Sequence, residues 1–413
     1  MKFDRYHISE DIKKNLVQLG YKKPTDIQYR SIPSILKGED VMAVAPTGTG
    51  KTLAFAIPVI DRIHGSKTSK RAYGIKCLVM VPTRELALQI GDVFLTLCRH
   101  TKVKIFVVHG GVEQDSQIKK LQNGIDILIA TPGRMFDLIH QKHIDIRNIH
   151  TLVLDEADRM LEKGFIRDIQ AVKKLLRHKH QTLFFSATIS KEIKKLAYSQ
   201  VKTTAIRIQI SPDDPVSKNV SHFVMFIEMD DKRFFLERFI REHPDGRIIV
   251  FVRTRVRAER VVKAMERVGI RAAAIHGDKD QSQRTRIMED FKKGESDILI
   301  ATDVSARGID IPDVHFVINY DIPDDPEYYV HRIGRTGRAF NKGDALSFCS
   351  REEREKLDAI QGLLTKPIEE IKISQKNYAQ TIARPSADAS IKDLIQEQEA
   401  WEKRKRKRKK QNR

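Results

Sequence analysis

The sequence predicts two tandem α/β domains, each a doubly wound parallel sheet, joined by a short linker and followed by a basic C-terminal tail. Three observations carry this. Short apolar runs alternate with polar stretches of helical length, the pattern of strands covered on both faces by helices. The two halves repeat one another's local sequence in the same order. A break rich in proline and acid lies between them. The chain has 413 residues, 40% hydrophobic and 31% charged, enough for two or three domains with sizeable cores and the composition of a globular chain.

In the first half, the apolar runs 41–45, 77–81, 104–108, 125–130, 152–154 and 182–185 read as strands, with 85–99 and 166–177 among the helices between them. This domain is expected to span 1–210. Ser211-Pro212-Asp213-Asp214-Pro215 breaks both helix and strand, which places a linker over 211–221. In the second half the strands are 248–252, 272–275, 298–301, 316–318 and 345–348, with helices over 257–268 and 283–293; this domain is expected to span 222–374. In the tail, 375–413, Ile391, Leu394, Ile395 and Trp401 suggest one weak amphipathic helix. Lys403–Arg413 is almost entirely Lys and Arg with no acid, the composition of a flexible, solvated arm.

The internal echo is specific. Asp126-Ile127-Leu128-Ile129-Ala130-Thr131 recurs letter for letter as Asp297-Ile298-Leu299-Ile300-Ala301-Thr302. Val81-Pro82-Thr83-Arg84 parallels Val252-Arg253-Thr254-Arg255, and His109-Gly110 parallels His276-Gly277. Each segment follows an apolar run, so a Thr, a His-Gly and another Thr fall on the strand-end face of each domain. Taken singly, each Thr is more often a helix cap. Together they offer hydroxyls, N–H groups and helix N-termini, which suit phosphates. Net charge is +20 and the pI about 9.7, so polyanionic partners are expected.

Cys77, Cys98 and Cys349 are isolated, with no C-x-x-C spacing, which reads as a reducing, cytoplasmic protein without structural zinc or disulfides. Met1-Lys2-Phe3-Asp4-Arg5 lacks the apolar stretch of a leader. No apolar run reaches the roughly 18 residues of a membrane span.

Two strings carry the chemistry. Ala45-Pro46-Thr47-Gly48-Thr49-Gly50-Lys51-Thr52 follows a strand and precedes an apolar helix, with the spacing of a phosphate-binding loop, although Ala45 replaces the usual first Gly. Gly48 and Gly50 let the backbone turn its N–H groups inward. Lys51 would offset charge on the β- and γ-phosphates of ATP, and the Thr52 hydroxyl would ligate Mg²⁺. Asp155-Glu156-Ala157-Asp158 ends another strand, at the edge where α/β sheets bind ligands. Alone it reads more readily as an acidic helix start. Beside a phosphate loop, Asp155 suits Mg²⁺, partly through water, and Glu156 suits the activation of an attacking water. Phosphoryl transfer also needs positive charge. His331-Arg332-Ile333-Gly334-Arg335-Thr336-Gly337-Arg338 supplies it, with Arg335 and Arg338 on one face if the segment is helical. If both reach the γ-phosphate, the ATP site is complete only when the domains close.

Taken as a set, these strings resemble the motifs of the DEAD-box ATP-dependent RNA helicases of superfamily 2, from residue 3 to about 374, and the short N-terminus, compact core and basic tail are most similar to bacterial RhlE-type members. Phe3 and Gly20-Tyr21-Lys22-Lys23-Pro24-Thr25-Asp26-Ile27-Gln28 match the family's upstream aromatic and Q motif. The resemblance implies two RecA-like domains. It also implies ATP contacts from Phe3, Tyr21, Thr25, Gln28 and Asp310, with Gln28 reading adenine, Phe3 stacking on it and Asp310 touching the ribose. Ser186, Thr188, His331 and Asp158 are implied to couple the γ-phosphate to the domain interface. RNA-backbone contacts are implied for Pro82, Thr83, Arg84, Gly110, Gly111, Thr131, Gly133 and Arg134, and for Arg253, Thr254, Gly277, Arg284 and Thr302. Two departures are Pro46, where many members have Gln, and the order Ser305-Ala306; neither is expected to abolish ATP binding.

The resulting expectation is RNA-stimulated ATP hydrolysis that closes the domains and locally opens short RNA duplexes or remodels RNA–protein complexes. The chain is expected to act as a monomer, with ribosomal or degradosome proteins as candidate partners. A DNA helicase on the same engine and an ATP-gated RNA clamp in a larger assembly are the alternatives.

Overall fold

The computed structural model describes residues 2–46, 48–188, 190–210, 216, 219–296, 298–303, 314–337 and 342–383. Thr47, Asp310, Arg338, most of the 211–221 linker and the tail from residue 384 lie outside the described residues. The chain divides near residue 211 into two compact units.

The first unit holds seven parallel strands: β1 (Val41–Val44), β2 (Cys77–Met80), β3 (Ile105–Val108), β4 (Ile127–Ala130), β5 (Thr151–Leu154), β6 (Gln181–Ser186) and β7 (Ile206–Gln209), ordered β3-β4-β2-β5-β6-β1-β7. Strands β1, β2, β4, β5 and β6 are buried along their whole length, which is why they read as unbroken apolar runs. Their side chains alternate between two cores. Val41, Ala43, Val79, Leu183 and Phe185 enter one core, whereas Met42, Val44, Met80 and Phe184 enter the other. In the first core Phe55, on the helix Lys51–Gly65, packs 5.1 Å from Phe185 and 6.1 Å from Phe94 between ring centroids. That helix follows the phosphate loop directly, so its burial anchors the loop.

The second unit repeats this plan with β8 (Val220–Phe226), β9 (Ile248–Phe251), β10 (Ala272–Ile275), β11 (Ile298–Ala301), β12 (Phe316–Asn319), β13 (Gly343–Cys349) and β14 (Glu369–Glu370), ordered β10-β11-β9-β12-β13-β8-β14. Counted from the start of each unit, the two orders are identical. The echoed sequences therefore mark equivalent strand ends: β2 and β9, β3 and β10, β4 and β11.

Three strands were not legible as apolar runs. In β7 only alternate residues are shielded, with Arg207 and Gln209 exposed. In β8 polar Ser221 and His222 interrupt the apolar residues. Only two residues form β14, and both are exposed glutamates. Because β8 begins at Val220, the expected linker overlaps the second sheet by two residues. The expected end at 374 is also too early, since Gln375–Ala383 forms a helix packed on the helix Lys232–Glu242. The Tyr378 hydroxyl donates to Asp231 Oδ2 at 2.8 Å and accepts from Glu228 N at 3.0 Å. The ring lies 5.1 Å from that of Phe235, and Arg238 Nη1 donates to Thr381 Oγ1 at 2.6 Å. Tyr378 and Thr381 stand three apart on one helix face, a pattern too short to register as periodicity.

Candidate active site

Strand order builds the first half of the site. β6 lies between β5 and β1, so the chain segments leaving these three strands, at Asp155, Ser186 and Ala45, share one edge. Gly48 and Gly50 in the loop after β1 have φ of 80° and 89°, the left-handed region that glycine enters without penalty. Lys51 is 8% exposed, and its Nζ donates to Ala45 O at 2.6 Å, closing the loop on itself. Thr49 Oγ1 donates to Pro46 O at 2.8 Å. Thr52 is half-buried in the first turn of the helix.

Gln28 joins the Q segment to this loop. Its Oε1 accepts from Thr25 N at 3.0 Å, and its Nε2 donates to Gly50 O at 3.1 Å. A Cβ on Gly50 would crowd the Gln28 amide and disturb this bond, and φ there already favours glycine. Each end of the amide retains one further hydrogen-bonding position. Phe3 departs from expectation. It is 3% exposed and packed in the core, 6.0 Å from the Tyr6 ring. No open face is left for a base, because a short aromatic turn beside apolar helices is buried by them. Tyr21 is exposed at 42%.

Each of the three acids after β5 has its own hydrogen-bond partner. Asp155 Oδ1 accepts from Glu156 N at 2.9 Å. Glu156 Oε2 accepts from Arg159 Nη1 at 2.7 Å. Asp158 Oδ2 accepts from Ala187 N and Thr188 N, each at 3.1 Å, and from Thr188 Oγ1 at 3.3 Å. Burial pushes the Asp155 carboxyl up to about 7, against the pull of Lys51 and with the help of the neighbouring Glu156 and Asp158 charges. A cation would relieve that carboxylate. One buried carboxylate and one half-buried hydroxyl, all oxygen, fit Mg²⁺ held partly through water and phosphate. Among the described residues no group of three or more His, Cys, Asp or Glu converges as a metal cluster.

The loops after β2, β3 and β4 meet on the same edge. Arg84 lies against Gly110 and Gly111: a Cβ on Gly111 would stand 1.8 Å from Arg84 Nη1, and φ there is +77°. Arg134 Nη1 and Nη2 both donate to Val112 O, at 3.2 and 3.1 Å. Gly111 and Gly133 are exposed, Thr131 is half-buried and Pro82 is buried. Thr83 is buried and caps its helix, accepting from Leu86 N at 3.2 Å.

In the second unit Thr254 caps its helix in the same way, accepting from Arg257 N at 3.2 Å, but is exposed. Arg253 is committed to acids: Nη2 donates to Glu353 Oε1 at 2.9 Å, and Asp324 lies 3.8 Å from Nε. Gly277 is exposed, Arg284 half-buried and Thr302 buried. Arg335 follows the end of the helix that carries His331, and Arg338 lies outside the described residues. The helix Pro326–Ile333 stops at Gly334, and Thr336 Oγ1 donates to Val314 O at 2.6 Å. Arg335 is 6% exposed, with Nε donating to His331 O at 3.3 Å.

Sequence reading passed over Arg332, Asp303 and Arg159. Arg332 is 2% exposed; Nε and Nη2 grip Asp303 Oδ1 and Oδ2 at 2.6 and 2.8 Å, and Nη1 donates to Asn319 Oδ1 and Asp321 O. Its place inside the basic string was the only signal. Arg159 carried one signal, its position three residues after Glu156.

Residues 25–196 match the model of the DEAD/DEAH box helicase family, and residues 231–340 match that of the helicase conserved C-terminal domain. The ATP-dependent RNA helicase RhlB of Shewanella oneidensis is 40% identical over 364 residues, 87% of this chain and 83% of that protein. The DEAD-box ATP-dependent RNA helicase CshA of Bacillus anthracis is 38% identical over 87% of this chain and 67% of its own length. Among solved structures, S. cerevisiae Dbp5 bound to RNA and ADP BeF3 superposes with a TM-score of 0.81 at 29% identity, over 93% of this chain and 98% of that one. Mss116p bound to ssRNA and AMP-PNP gives 0.81 at 26% identity, over 94% and 83%.

Proposed function

This chain belongs to the DEAD-box family of ATP-dependent RNA helicases, and on that premise we propose how its own residues divide the work. The phosphate loop holds ATP through its inward N–H groups and Lys51. Gln28, already tied to Gly50, uses its remaining donor and acceptor for adenine. Thr52 and Asp155 hold Mg²⁺. When bound, that ion neutralises charge on the phosphates and orients them for in-line attack. Glu156 takes a proton from the attacking water. RNA lies on the loops carrying Arg84, Gly110, Gly111 and Arg134 in the first unit and on the loops carrying Thr254, Gly277 and Arg284 in the second. It is gripped by phosphates and 2′-hydroxyls rather than by base identity.

Closure of the two units brings Arg335 and Arg338 to the γ-phosphate, and the closed form bends one RNA strand so that a short duplex is locally opened. Asp158, through Thr188, carries the nucleotide's state to that closure. The protein works as a monomer in the cytoplasm, where buried, reduced Cys77, Cys98 and Cys349 are at home, and ribosomal or degradosome proteins are its proposed partners. Among the described residues no helix is long and apolar enough to cross a membrane.

The observation that carries this reading is the partition of the three acids. Asp155 is left for a cation, Glu156 stands at the adjacent position, and Asp158 is bound to the segment after β6. Glu156→Gln should bind ATP within about twofold of wild type while RNA-stimulated phosphate release falls about 100-fold or more. RNA-stimulated release near the wild-type rate would overturn the assignment. Matched DNA strands stimulating as well as RNA would favour a DNA-directed enzyme.

A further inference from the structure

Glu156 stands in the left-handed region, with φ 51° and ψ 49°, a strained conformation for a non-glycine residue. Its carboxylate is held by Arg159, one turn along the short helix Ala157–Glu162, at 2.7 Å from Nη1 to Oε2. The two side chains are 10% and 3% exposed.

Two features separate this pair from an ordinary core ion pair. Arg159 is left incompletely satisfied, since its Nη2 is buried without a hydrogen-bond partner among the described residues, whereas buried donors are nearly always paired. An arrangement serving stability alone gains little, because buried ion pairs rarely improve on well-packed apolar residues. The grip is also one-sided. Arg159 takes Oε2, and among the described residues Oε1 accepts no hydrogen bond. A carboxylate that activates water needs this combination, one oxygen fixed and the other open in a set direction.

We propose that Arg159 is a positioning residue for hydrolysis, clamping Glu156 Oε2 so that Oε1 meets the attacking water. The inference rests on Glu156 being the base. In that step the water oxygen bonds to the γ-phosphorus, and the bond from phosphorus to the β–γ bridging oxygen breaks with its electron pair leaving on ADP. The water's proton passes to Oε1. Arg159 touches neither water nor phosphate; it acts through the direction of the carboxylate.

The test uses the full chain with RNA, in Arg159→Met and Arg159→Lys. Arg159→Met should lower kcat for phosphate release by about 10- to 100-fold, the range for a misdirected catalytic group, with KM and ATP affinity within about twofold. Arg159→Lys, which retains the charge but not the planar fork, should fall between it and wild type. It also remains informative if Arg159→Met, with Glu156 left buried and unpaired, fails to fold. Turnover within twofold of wild type in the folded Arg159 variants, beside an inactive Glu156→Gln, would overturn this inference alone. So would a loss in which ATP affinity and kcat fall together, the mark of a merely structural pair. Wild-type turnover by Glu156→Gln would remove the base assignment and this inference with it.

Discussion

Asp158 and Thr188 are joined through a single carboxylate oxygen. Asp158 Oδ2 receives the Thr188 backbone N–H at 3.1 Å and its hydroxyl at 3.3 Å, together with Ala187 N at 3.1 Å. The acid string after β5 is thereby tied to the segment after the neighbouring strand β6. Ser186 Oγ, at the end of β6, is buried with no hydrogen-bond partner among the described residues.

Asp158→Ala should leave the N–H groups of Arg159, Ala187 and Thr188 without this acceptor and destabilise the protein by about 1–3 kcal/mol, read as a lower urea midpoint. If this tie transmits the nucleotide's state, duplex opening should fall further than ATP hydrolysis. Equal losses in both assays would argue against transmission here.

Asp155 sets a pH dependence. Its carboxyl is held up to about 7 by burial, against an ordinary value of 3.8. The native state therefore binds more protons than the unfolded state between about pH 4 and 7, so this group's contribution to stability declines as pH rises through that window. Without nucleotide, Asp155→Asn should raise the melting temperature at pH 7, with the gain vanishing toward pH 4. Since the ion binds the deprotonated acid, the Mg²⁺ requirement for ATP binding should weaken between about pH 6 and 8 in wild type. Mg²⁺ titrations monitored by nucleotide fluorescence would show this.

Gly111→Ala should displace Arg84, because φ of +77° and a 1.8 Å approach to Nη1 leave no place for a Cβ. RNA affinity should fall several-fold while ATP binding without RNA is unchanged. Arg84→Ala should lose a phosphate contact and reduce the log–log salt slope by about 0.7. Fluorescence anisotropy across a salt series measures both.

Arg332→Met should remove the bidentate hold on Asp303 and the bonds to Asn319 and Asp321. A cost of about 3–5 kcal/mol is expected, as for other broken buried ion pairs, visible as an earlier unfolding transition. A loss below about 1 kcal/mol would show that Asp303 finds another partner.

Deleting residues 403–413 should flatten the salt dependence of RNA binding and weaken it, with ATP hydrolysis in the absence of RNA unchanged, if the Lys/Arg run tethers RNA. An unaltered slope would assign the run to solubility.

The chemistry was legible because it depends on contiguous residues. The phosphate loop needs Gly48, Gly50 and Lys51 at fixed spacing, and a backbone turn reads as easily from sequence as from coordinates. The duplication was legible because equivalent strand ends keep the same letters, as Ile127–Ala130 and Ile298–Ala301 do. Strands whose register comes from their neighbours were harder: β7 and β14 exist because β1 and β8 present open edges, and their own residues show no apolar run.

Side-chain allegiance was decided only by packing. Phe3 was read as a stacking ring, and a core of helices enclosed it. Arg253 is an exposed side chain that pairs with Glu353, an acid 100 residues along the chain. The three acids at residues 155, 156 and 158 looked like one cluster, and folding gave each a separate partner. Spacing along a chain states which groups leave a strand together. Which charge each group meets depends on the strands and helices that tertiary contacts bring alongside, and desolvation makes those meetings strong enough to divide the roles.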